Sequence, residues 1–71
     1  MENLLDKIVG LPTGTPLFSH IFGNVVLDDI VDSDIIVKLP NGRLEIFNKY
    51  GQYYYDNLTD DVSPCCLLEL N

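Results

Sequence analysis

Seventy-one residues, with four Lys and Arg against eleven Asp and Glu for a formal net charge of −7, leave room for one domain and one core. A chain of this length buries only about 60% of its unfolded surface, yet the 46% hydrophobic content excludes the disordered class. An acidic field of this size disfavours phosphate backbones and anionic lipid surfaces as partners. No apolar run approaches the roughly 20 residues that span a bilayer.

Residues 1–11 place Leu4, Leu5, Ile8, Val9 and Leu11 at helical spacing. Asn3 is suited to cap the first turn, and Gly10 and Pro12 stop it. So short a helix is marginal alone in water, so it is expected as a docked helix or, failing that, a strand or a frayed arm. The Pro12-Thr13-Gly14-Thr15-Pro16 segment then turns the chain into a first strand at Leu17-Phe18-Ser19-His20.

A longer strand follows from Gly23 to Val31. Strict alternation from Val25 and Leu27 puts Asp29 on the apolar face, and a bulge near Asp28-Asp29 lets Leu27 and Ile30 share the buried side instead. Next, two apolar-alternating runs flank Asn41-Gly42, the strongest short-range hairpin signal. Taken as a two-residue loop, it pairs Pro40 with Arg43, Leu39 with Leu44, Lys38 with Glu45, Val37 with Ile46 and Ile36 with Phe47. Val37, Leu39, Leu44 and Ile46 then face the core, and Lys38 and Glu45 face each other outside.

Asn48-Lys49-Tyr50-Gly51 has turn composition, Gln52 to Tyr55 returns as a strand, and 56–64 reads as a polar loop. Cys65 to Leu70 closes the fold as a strand near the N-terminal end of the sheet. Adjacent cysteines cannot close a ring without distorting the peptide between them. Strand alternation therefore sends one reduced thiol inward and one outward. Met1-Glu2-Asn3 lacks the basic start of a secretory leader, so a cytoplasmic location is expected. The acceptor tripeptide Asn57-Leu58-Thr59 is then an accident of composition.

The pattern Gly23-x-Val25-x-Leu27-x-x-Ile30, Ile35-x-Val37, Asn41-Gly42-x-Leu44-x-x-Phe47 and Gly51-x-Tyr53 resembles the SH3-like small barrels, a group that includes Tudor and KOW modules. The chain is also similar to short uncharacterised proteins of Bacteroides-type bacteria and their phages, which implies a mobile-element origin and no particular activity. The resemblance covers roughly residues 14–70. The expected architecture is one mainly β domain over residues 1–71: a five- or six-stranded antiparallel SH3-like barrel, or a strongly curled sheet, behind the N-terminal helix.

Chemistry is sparse. Ser19 and His20 are strand neighbours pointing to opposite faces, so they form no nucleophile pair. Cys65, Cys66 and His20 lack zinc-site spacing, and Asp28, Asp29, Asp32 and Asp34 do not match a calcium loop. These read as a surface histidine, structural thiols and a solvated acidic turn. No enzyme and no cofactor is expected.

The remaining signal is aromatic and basic. Phe47, Tyr50, Tyr53, Tyr54 and Tyr55 fall within nine residues, and Lys38, Arg43 and Lys49 against Glu45 make residues 38–49 a local +2 in a remainder of −9. Lys38, Arg43, Phe47, Tyr50 and Tyr54 form the predicted contact surface of a small interaction module, with Tyr53 and Tyr55 as the alternative outward pair. It would bind a protein partner or self-associate. Weak nucleic-acid contact through the basic hairpin, or DNA mimicry by the acidic surface, is the second reading.

Overall fold

The computed structural model describes residues 3–56 and 61–71; the acceptor tripeptide at Asn57 and part of the predicted polar loop lie outside them. The fold is mainly β. A short helix, α1 (Leu5–Ile8), precedes seven strands: β1 (Pro16–Ser19), β2 (Gly23–Val31), β3 (Asp34–Lys38), β4 (Leu44–Phe47), β5 (Tyr54–Asp56), β6 (Asp61–Val62) and β7 (Leu68–Leu70). Five of them form an antiparallel sheet in the order β4-β3-β2-β1-β7, and β5 pairs with β6 beside it. Phe47 makes a single bridge to Tyr53. Among the described residues the ladder does not close on itself, and β4 and β7 are its edges.

α1 forms by docking, as its length demands. Leu4 and Ile8, one turn apart, enter the core with Leu17, Val25, Leu27, Ile35, Val37, Phe47 and Leu68, whereas Val9 and Leu11 stay exposed. The Asn3 side chain accepts a hydrogen bond from the Leu5 amide at 3.0 Å. None of the described helices is long and apolar enough to cross a membrane.

β2 bulges as its carboxylates require. Leu27 pairs with Val37 and Asp29 with Ile36, so Asp28 is the extra residue, and Leu27 is buried while Ile30 packs against the core. The β2–β3 hairpin then closes on Asp32 (φ 52°) and Ser33 (φ 71°), a two-residue loop with both residues left-handed.

The β3–β4 hairpin departs from its predicted register by one residue. Lys38 pairs with Leu44, Val37 with Glu45, Ile36 with Ile46 and Ile35 with Phe47. The loop is three residues long: the Leu39 carbonyl accepts from the Gly42 amide at 2.9 Å, and the Leu39 amide donates to the Arg43 carbonyl at 2.8 Å. The cause is Pro40, whose ring presets the second position of a type I turn; Gly42 at φ 89° then supplies the left-handed residue of the following bulge. A slip of one residue exchanges the two faces of a strand. Phe47 and Glu45 therefore point inward, and Leu44, 52% exposed, points out with Ile46.

Asn48 builds the next turn, its side-chain oxygen accepting from the amides of Tyr50 and Gln52, both at 3.0 Å. Gly51 (φ 88°) sits where a Cβ would lie 3.0 Å from the Leu68 carbonyl oxygen and 3.1 Å from Leu4. Its own carbonyl accepts from the Leu67 amide at 2.9 Å, which ties β7 to the turn.

Two further expectations are corrected at the C-terminal end. Asp61 and Val62, predicted as loop, form β6 because Ser63 anchors them. Its amide donates to the Tyr53 carbonyl at 2.8 Å, and its buried hydroxyl accepts from the Tyr53 amide at 2.9 Å and donates to the Cys65 carbonyl at 2.8 Å. Cys65 and Cys66 precede β7 instead of opening it, so both thiols are free and exposed.

Candidate interaction surface

The inward turn of β4 sets a carboxylate into the wall of the core. Glu45 is 8% exposed and stands opposite Val37, so most of its surface is removed from solvent. Two side chains compensate. The Tyr53 hydroxyl donates to Glu45 Oε1 at 2.9 Å, and Arg43 Nε lies 2.7 Å from Oε2. The second contact is an ion pair without good hydrogen-bond direction, since Oε2 has no geometrically acceptable donor. The contact is electrostatic and is partly screened on the solvent side of Arg43.

Tyr53 links this pair to the aromatic core. Its ring centroid lies 5.4 Å from Phe22, 5.4 Å from Phe47 and 5.9 Å from Tyr55. Burial pushes the Tyr53 phenol above its ordinary pKa, and the Glu45 carboxylate reinforces that by accepting its hydrogen bond and by charge, against a smaller opposing effect of Arg43. At the surface end of the network, the Arg43 side chain is 68% exposed and Tyr55 is 62% exposed. A buried acid thus fixes a guanidinium whose outer part remains in solvent, and Tyr53 backs an exposed ring.

The five predicted contact residues divide among separate places. Arg43 belongs to the network just described. Phe47 is fully buried and offers a partner nothing; the shifted register turned it inward. Lys38 is exposed on the opposite, outer face of the sheet, beside a groove of about 420 Å³ that Pro16, Val26, Leu39 and Pro40 also line. Tyr50 and Tyr54 are half-buried beside the β2–β3 turn, in a polar cleft of about 300 Å³ shared with Asp32, Ser33 and Asp34. There the Tyr54 hydroxyl donates to Asp34 Oδ1 at 2.8 Å, and Lys49 Nζ stands 5.2 Å from the centre of the Tyr50 ring. Of the aromatic run, Tyr55 is the ring that faces out.

His20 is exposed, 3.4 Å from Glu69 and edge-on to Phe18 at 5.1 Å. Ser19 is turned away from it, its hydroxyl accepting from the Ile21 and Phe22 amides at 3.1 and 3.0 Å.

The chain matches no protein-family model, no curated protein and no solved structure.

Proposed function

We propose that this chain is a non-enzymatic interaction module that binds a protein partner through the surface built on Arg43 and Tyr55. The observation that carries the reading is the buried Glu45 carboxylate. Placing an acid in the core wall of so small a domain is costly, and what it gains is an arginine and a tyrosine cluster held in fixed positions at the surface. Arginine and tyrosine are the residue types over-represented among interface anchors, and a side chain already fixed loses less entropy on binding. The basic guanidinium in an acidic protein favours a partner segment carrying carboxylate or aromatic groups.

The strand order supports the finer fold reading that accompanies this proposal. Four consecutive antiparallel strands with a bulged second strand, and a last strand returning to the first, match the course of an SH3-like barrel left open at one seam. Binding modules are common on that fold, although the fold alone assigns no ligand.

A photo-crosslinking residue at position 55 tests the reading in cells of the native host, with one at exposed Val9 as control. A defined adduct at position 55 that disappears in a folded Arg43→Ala variant is expected. Adducts of equal yield at both positions, or an adduct at 55 indifferent to Arg43, would refute it.

A further inference from the structure

Cys65-Cys66 is a motif that neither the core nor the Arg43 and Tyr55 surface uses. In a strand, consecutive side chains point to opposite faces. Here both residues lie ahead of β7, and both thiols are free and exposed. The backbone on either side of them is held. The Cys65 carbonyl accepts from the buried Ser63 hydroxyl at 2.8 Å. Leu67 donates its amide to the Gly51 carbonyl at 2.9 Å, and its own carbonyl accepts from the His20 amide at 2.7 Å. Cys66 also borders a recess of about 200 Å³ that Leu4, Tyr50 and Leu68 help to line.

Geometry limits what the two thiols can do. Consecutive Cα atoms stand about 3.8 Å apart, short of the roughly 4.4 to 6.8 Å that a disulfide spans without strain. A direct S–S bond is therefore disfavoured. An atom placed between the sulfurs relaxes the ring, because two bonds of about 2.3 Å meeting near the tetrahedral angle hold them roughly 3.7 Å apart. Exposed side chains are free to reach that separation by turning about χ1.

The bridging atom must be thiophilic and satisfied by two protein ligands. A structural zinc ion takes four, and among the described residues no three His, Cys, Asp or Glu side chains are grouped to hold a metal ion. Trivalent arsenic that carries one organic group needs two sulfurs and no more. We infer that Cys65 and Cys66 form a bidentate site for a monosubstituted trivalent arsenical, its organic group seated in the recess against Leu4 and Leu68. The arsenoxide gives up its oxygen: two S–H bonds and the As=O bond break, two As–S bonds form, and one water leaves with both protons. Arsenic stays trivalent, so the step needs no oxidant or reductant. The site uses neither Arg43 nor Tyr55 and stands apart from partner binding.

Titration of the phosphine-reduced full chain with phenylarsine oxide is the test. One arsenical per chain is expected, with both thiols lost to a thiol reagent. Cys65→Ser and Cys66→Ser each weaken binding by about a hundredfold or more, since one sulfur closes no ring; a native-like circular dichroism spectrum confirms each fold. The held backbone belongs to the folded state alone, so the probe raises the melting temperature, more at higher concentration. Methylarsine oxide, with less apolar surface to bury, binds about tenfold more weakly. Two arsenicals per chain, a single-cysteine variant within about threefold of the wild type, or a melting temperature that does not rise would each overturn the site. Equal affinity for the two probes would refute the seat in the recess.

Discussion

Between β2 and β3 the chain reverses in two residues, Asp32 and Ser33, both left-handed; between β3 and β4 it takes three, and of Pro40, Asn41 and Gly42 only the glycine is left-handed. The first turn has the tight geometry with residues that adopt it at some cost, since a left-handed conformation disfavours any side chain and serine more than aspartate. The second has Asn-Gly, the residues best suited to that same tight geometry, and does not use it. What separates them is the residue in front. A proline at position 40 is already set for the second place of a type I turn, so the reversal begins one residue early. The difference reaches well beyond the loop: it decides which side of β4 is core, and so creates the buried Glu45 network and turns Leu44 and Ile46 outward.

The largest test of that comparison is on the faces of β4. Phe47→Ala removes a fully buried ring and is expected to cost about 3 to 5 kcal/mol, whereas Leu44→Ala, at a largely exposed position, costs under about 1 kcal/mol. Urea titration of both variants gives the ranking, and the two-residue register predicts the reverse order. Glu45→Gln keeps the shape but removes the charge opposite Arg43, with an expected loss of about 1 to 3 kcal/mol by the same titration.

The turns can be altered directly. Deleting Pro40 leaves Asn41-Gly42 as a two-residue loop between Leu39 and Arg43, so the observed pairing survives and stability changes by about 1 kcal/mol or less; a loss of the folded state would show that the flanking pairs were different. Ser33→Gly relieves a left-handed side chain and is expected to raise stability by roughly 0.5 to 1 kcal/mol. A decrease in melting temperature would contradict the conformation at φ 71°.

The smallest effect is alkaline. Because the Tyr53 pKa is raised in the folded state, the native protein holds that proton more tightly than the unfolded chain. The resulting stability is intact below the ordinary phenol value of about 10 and is lost as pH climbs through and beyond it. Tyr53→Phe, less stable at neutral pH for want of its hydrogen bond, is expected to flatten that decline. An unchanged slope would uncouple Tyr53 from Glu45.

Much of the fold is written locally. Asp28-Asp29 in an apolar strand announced the bulge, because two adjacent carboxylates leave alternation no other outlet. The extents of β2 and the turn at Gly51 were equally legible, whereas of the stripe Leu4, Leu5, Ile8, Val9 and Leu11 only Leu4 and Ile8 are buried and Val9 and Leu11 stay exposed. The candidate site was less so. Arg43 and the tyrosine run stand out by residue type, but reading Asn41-Gly42 as a two-residue loop puts Glu45 in solvent, and that one choice misplaces Leu44, Ile46 and Phe47 together. Leu39-Pro40-Asn41-Gly42 contained the needed signal. Ser63 offered none: its contacts with Tyr53 span ten residues and depend on the assembled fold.

The pairing of β3 with β4 underlies the Glu45 network, and cross-strand nuclear Overhauser contacts measure it most directly. The account predicts backbone contacts joining Ile36 to Ile46 and Lys38 to Leu44. Contacts joining Ile36 to Phe47 and Leu39 to Leu44 would contradict it.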